Sequence, residues 1–168
     1  METSLINVQI EAVLKGLRES HVILSGLVTD LPDEVLHCRR GDGFWTIAEH
    51  AAHLADVQPM GEERIRRILN EDNPEFVPFL PEEDDNTKLL PPPDMKDVLS
   101  RFHSARVRIV QLLEQASPED WQRKAVHPEY RQYGLFIFAR HILMHDHWHM
   151  YRMEELWLTR DEYLTGMD

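Results

Sequence analysis

The run YGLFIFARHILMHDHWHMYRMEELWLTR, residues 133–160, reads as one long helix whose apolar side also carries histidine. A helix turns about 100° per residue, so His145 and His149 lie only about 40° apart around the axis and one turn apart along it. Phe138, Ile142 and Leu156 fall within about 60° of His145 by the same rotation, so the pair projects from the buried stripe rather than from solvent. This is the geometry by which one helix offers two imidazole nitrogens to a single metal ion. Hydrogen-bonded core histidines and solvated surface pairs share the spacing, so it leaves all three readings open. His141 extends the series to i, i+4, i+8 and leaves open which two are ligands; His147, about 160° from His145, belongs on the surface.

Working back along the chain, Ser117-Pro118-Glu119-Asp120 has the N-cap residue, early proline and acidic first turn of a short helical piece containing Trp121, followed by a loop at 127–130. Before it, Met95, Val98, Leu99, Phe102, Val110 and Leu113 repeat on one side of a helix spanning 94–115. Residues 72–93 hold six of the ten prolines and the acidic run Glu82-Glu83-Asp84-Asp85, which makes them a long crossover. A second helix is expected over 45–70, with a kink or break between Gln58 and Gly61 because Pro59 removes a backbone donor and clashes with the preceding turn. Residues 4–29 carry Leu5, Val8, Val13, Leu14, Leu17, Leu24, Leu27 and Val28 at helical spacing, and the loop at 39–43 leads out of this first helix region. Four long helices with one long crossover between the second and third predict an all-α fold: an up-down four-helix bundle formed by a single domain over 1–168.

A third ligand to the histidine pair must come from another helix. The leading candidate is His53, in the segment WTIAEHAAHLAD at 45–56, whose small residues permit close helix approach; His50, about 60° away, is the alternative. Three neutral imidazoles with positions left to solvent form an open site of catalytic type, and Asp56 or Asp146 are candidates to accept an imidazole N–H behind it. His21, His37, His103 and His127 show no spacing signal and read as ordinary. The four tryptophans, Trp45, Trp121, Trp148 and Trp157, read as core or interface aromatics. Phosphate-cradling glycine loops, a serine nucleophile elbow, zinc-ribbon cysteines and paired Glu-x-x-His motifs are absent from the sequence.

The 168 residues carry 18 Lys plus Arg against 30 Asp plus Glu, a net charge of −12 that disfavours nucleic acid and anionic membrane surfaces as partners. Residues 71–94 hold eight acidic residues and one lysine, so the helices are nearer neutral than the whole. No apolar run approaches the roughly 18 residues of a membrane span, and the N-terminus does not read as a secretory signal, so a cytoplasmic location is expected. The single cysteine, Cys38, fits a reducing compartment and lacks a visible partner base that would make it a nucleophile.

Taken together, Trp45-Thr46 opening the second helix, His53-Leu54-Ala55-Asp56, the long crossover, the Ser117-Pro118-Glu119-Asp120 turn and His145-Asp146-x-x-His149 resemble the DinB/YfiT-like superfamily of metal-dependent bundle proteins. The resemblance covers most of the chain. It implies a four-helix bundle with His53, His145 and His149 on a divalent metal, zinc or nickel. It also implies a transferase of the kind that uses a low-molecular-weight thiol, with metal-dependent hydrolysis as the second chemistry. A non-catalytic metal-binding stress-response module is the alternative from another class, and a homodimer is implied by the resemblance alone. The chain departs from the family where Tyr151, Arg152 and Met153 replace the Gln-Ile that often follows the second histidine. Arg152, about 20° from His145 around the helix, is the candidate catalytic residue to meet an anionic substrate group.

Overall fold

The computed structural model describes residues 2–78 and 92–166. In chain order the helices are α1 (Glu2–Val28), the short α2 (Asp33–Leu36), α3 (Ile47–Asp56), α4 (Gln58–Asn70), α5 (Met95–Glu114) and α6 (Leu135–Leu158). Two-residue strands β1 (Lys124–Ala125) and β2 (Tyr133–Gly134) precede α6. None of the described helices is long and apolar enough to cross a membrane.

The expected second helix is two helices. Pro59 has no N–H to give and its ring would collide with the carbonyl four residues back. The chain therefore breaks at Val57, one residue earlier than anticipated, and Pro59 falls in the first turn of α4, where a missing donor is not felt. Upstream, α3 starts one residue past Thr46, which caps it. The Thr46 hydroxyl accepts the Glu49 N–H at 3.1 Å and the Glu49 carboxylate accepts the Thr46 N–H at 2.6 Å. This reciprocal pair satisfies two orphan donors and fixes where the face carrying His50 and His53 begins.

α1 packs along α5 and α6, and α3 with α4 packs along the same two helices, so α1 lies diagonally across from α3–α4. Arg18 pairs with Glu114 at 2.7 Å and the His21 and His103 ring centroids are 4.4 Å apart, which makes α1 and α5 antiparallel. Asp56 pairs with Arg101 and Glu62 with Arg108, which makes α3–α4 parallel to α5. The long crossover is required by that parallel pair, because the chain must travel the length of the bundle before α5 can start. Its residues 79–91, including the acidic run at 82–85, lie outside the described residues.

A hairpin closes one end, and Tyr133–Gly134, expected to open the last helix, form its second strand. β1 and β2 pair antiparallel, and Glu75 bridges to Val126, with Phe76 N–H donating to the Val126 carbonyl at 2.9 Å. At Gly134 a Cβ would lie 2.3 Å from the Arg123 carbonyl oxygen, so only glycine lets the strands approach here.

The core is two apolar clusters separated by a polar layer. Each bundle helix supplies one residue to the layer: Ser20 from α1, Gln58 from α4, Arg106 from α5 and Asp146 from α6. The Arg106 guanidinium donates to both Asp146 oxygens at 2.5 and 3.0 Å, to Ser20 Oγ at 3.0 Å and to Gln58 Oε1 at 3.2 Å. Arg106 and Asp146 are almost fully buried, with side chains 2% and 1% exposed.

Candidate metal centre

Antiparallel packing of α3 on α6 brings His53 opposite His145 and His149. The His53 Nε2 is 3.2 Å from His145 Nε2, and His149 Nε2 is 3.1 Å from the same atom. The ligand atoms of all three lie within 4.8 Å of one another. Zinc–imidazole bonds of about 2.0–2.1 Å at tetrahedral angles separate neighbouring nitrogens by about 3.3 Å, so the observed spacing fits three donors around one ion.

Burial sets the protonation that such an ion needs. Removal from water, reinforced by the neighbouring histidines, lowers His149 from 6.5 to about 2. The same causes, burial first, lower His145 to about 4, and burial also lowers His53. At neutral pH all three are therefore uncharged rings, each with one lone pair. No carboxylate joins the cluster among the described residues.

His50 belongs behind the cluster rather than in it. Its Nδ1 is 2.8 Å from His149 Nδ1, it is fully buried, and burial followed by the Arg152 charge lowers it to about 4. For His149 to offer a lone pair from Nε2, its proton must sit on Nδ1 and be donated to His50 Nδ1. That leaves the His50 proton on Nε2, an atom that is buried and without a hydrogen-bond partner. The acceptors anticipated for this position are engaged elsewhere: Asp56 pairs with Arg101 at 2.6 Å, and Asp146 is held by Arg106. Trp45, expected to be a core or interface aromatic, covers the cluster, its ring centroid 5.1 Å from His53 and 5.8 Å from His149. No sequence spacing could have assigned these roles to Trp45 and His50, since both arise from contacts across the bundle.

A cavity of about 230 Å³ opens beside His53 and His145 and runs between α4 and α6. His141 lines it without joining the cluster, and His127, expected to be ordinary, also lines it. His147 is exposed, as its angle on α6 predicts. Arg152 does not line the cavity. Seven residues beyond His145, it sits about 10 Å further along the helix, where it pairs with Glu155 and donates to the Thr165 hydroxyl at 3.0 Å and carbonyl at 3.1 Å. The small angular offset from His145 was legible in the sequence, but the C-terminal segment that occupies its guanidinium was not. Cys38 is exposed and its neighbours Arg39 and Arg40 are paired with Glu49 and Asp161.

A family model described as the DinB superfamily matches residues 17–153. A protein from Geobacillus thermodenitrificans (strain NG80-2) with the provisional name metal-dependent hydrolase is 32% identical over 110 residues, which cover 66% of this chain and 62% of that protein. This chain's match thus spans less than two thirds of that relative's length. OB0782 of Oceanobacillus iheyensis, with the same provisional name, is 28% identical over 127 residues, 73% of this chain and 71% of its own. Among solved structures, YfiT from Bacillus subtilis, described as a probable metal-dependent hydrolase with an unusual four-helix bundle topology, is similar in fold. Its TM-score is 0.74 at 22% identity, over 88% of this chain and 85% of that one.

Proposed function

The chain belongs to the DinB superfamily, and we propose that His53, His145 and His149 hold a divalent metal ion, zinc or nickel, at the centre of a hydrolytic active site. The observation that carries this is the convergence of three neutral Nε2 atoms at 3.1–3.2 Å beside an open cavity. When bound by three uncharged ligands, such an ion keeps its full charge and lowers the pKa of a water or a thiol presented to it.

The residues of the chain supply the rest. His50 Nδ1 holds the His149 proton away from the ligand side, Trp45 excludes water from one face, and the cavity delivers substrate from the other.

A second reading, transfer of a low-molecular-weight thiol to an electrophile, is favoured by the commitment of Asp56 and Asp146 to arginines. A thiol already ionised needs no general base at the attacking step, so a cluster without a free acid suits it. The two chemistries are separated by assaying metal-loaded protein on ester and amide panels without thiol, and on electrophiles with several thiols. Turnover without thiol supports hydrolysis; strictly thiol-dependent product supports transfer. Metal content of untagged protein tests the centre itself. About one equivalent of transition metal is expected, lost in each of His53→Ala, His145→Ala and His149→Ala and kept in His147→Ala; less than about a tenth of an equivalent, with no tight uptake on titration, would sink it.

A further inference from the structure

The end of the cavity away from His53 and His145 gathers side-chain donors from Arg64, Tyr133 and His127, with Tyr130 and His141 beside them. Arg64 on α4 lines it, with its guanidinium carbon 5.2 Å from the Phe76 ring centroid and 5.9 Å from that of Phe138. It donates to the Tyr133 hydroxyl at 3.2 Å and the Val77 carbonyl at 2.7 Å, and forms no ion pair among the described residues. Of its five N–H groups, three are left over. Tyr133 is 6% exposed, and because its oxygen accepts from Arg64 its own O–H remains to be given. His127 is 5% exposed, and its Nδ1 accepts the Glu129 N–H at 3.3 Å, which places the proton of the neutral ring on Nε2. The His127 and Tyr133 rings are 5.1 Å apart. The carboxylates on the cavity wall do not balance these donors: Asp146 is held by Arg106, and Glu129 is exposed and not paired with Arg64.

Arg64 is half-buried, so its spare N–H groups are left to water, and a carboxylate that replaces that water gains charge-assisted bonds to a guanidinium fork that matches its two oxygens. Between this end and His145 the wall is mostly apolar, with Met60, Ile109, Phe138 and Ile142, and carries His141 beside them. Phe138, beside Arg64, and His145 are seven residues apart on α6, or about 10 Å. The geometry points to a carboxylate-binding subsite at Arg64, Tyr133 and His127, selecting as substrate a small amphipathic acid whose reacting group lies at the histidines. The subsite stands on its own observations; only the placement of the reacting group rests on the metal-centre reading.

The test uses the metal-free chain and three probes: 4-phenylbutyrate, its neutral amide and inorganic phosphate, with binding followed by NMR shifts of the histidine ring protons. The acid is expected to bind at least about 10-fold more tightly than the amide or phosphate, in line with a charge-assisted hydrogen-bond pair. Arg64→Met should erase that preference and Arg64→Lys restore part of it. Tyr133→Phe, which keeps the ring packing, should reduce it about 3-fold, and His145→Ala should leave it intact. Equal affinity for acid and amide, or a preference that survives Arg64→Met, overturns the subsite; tighter binding of phosphate overturns its assignment to carboxylates. Metal titration of the same proteins keeps the two conclusions apart. A wild-type chain that takes up no metal but prefers the acid would refute the metal centre alone, and normal uptake without acid preference would refute the subsite alone.

Discussion

His145 Nε2 has two imidazole nitrogens within 3.2 Å, and protons alone can satisfy at most part of such a triangle, since each neutral ring brings only one N–H. A cation resolves the conflict for all three lone pairs at once, and His50 decides whether His149 can take part. His50→Phe, which keeps a ring in the same space but removes the acceptor, is expected to weaken metal affinity about 10–100-fold, the usual cost of losing a ligand's hydrogen-bond partner. The metal-free chain should change little in stability, because the substitution removes a buried Nε2 that has no partner while leaving His149 Nδ1 without its own. Metal titration and urea unfolding of the variant check the two halves; weakened unfolding with normal metal affinity would contradict both. The pair His145 and His149 was legible because helical spacing is a local property, and His53 because the small residues of its segment permit close helix approach and a family pattern then matched it. His50, Trp45 and His127 were not, because their roles come from rings contributed by distant parts of the chain.

At the scale of elements, the helices could be placed to within about two residues from apolar spacing, caps and proline. Proline chemistry anticipated the break between α3 and α4, although it falls at Val57 and not within 58–61. The hairpin has no sequence signature, because strands of two residues carry no period. It matters to the site, since it holds Tyr133 and His127 against the cavity and sets where α6 begins. Gly134→Ala is therefore expected to cost about 1–3 kcal/mol by forcing β2 away from the Arg123 carbonyl. Thermal unfolding measures this, and an unchanged midpoint would show that the strands can separate without penalty.

For the whole molecule, the metal-free bundle must keep its clustered histidines neutral while the unfolded chain need not. His50 and His145 are lowered to about 4 and His149 to about 2, chiefly by burial, against 6.5 when exposed. Below about pH 6.5 the unfolded chain binds protons that the folded one refuses. Stability is therefore full above that pH and falls as pH drops toward 4; the urea midpoint should be level from pH 7 to 8 and decline steadily from 6.5 to 5. A midpoint that stays level to pH 5 would show that these rings are not held neutral. The bundle itself was legible from four apolar stripes and one long crossover. The order of helices around it was not, since nothing in the local spacing states that Arg106 will meet Asp146 through the centre. That buried pair is indispensable once formed, and Asp146→Asn is expected to destabilise the fold by about 3–5 kcal/mol by stranding the Arg106 charge.

Asp146 follows His145 directly, so whatever grips one sets the angle of the other. A slip of α6 by a single residue would turn it through about 100° and swing both His145 and His149 away from His53. The Arg106 clamp, fixed in turn by Ser20 and Gln58, works as a rotational stop for the helix. In Asp146→Asn molecules that still fold, the metal affinity should therefore fall although every ligand is present, and the loss measures how finely the centre of the bundle aims the histidines at its side.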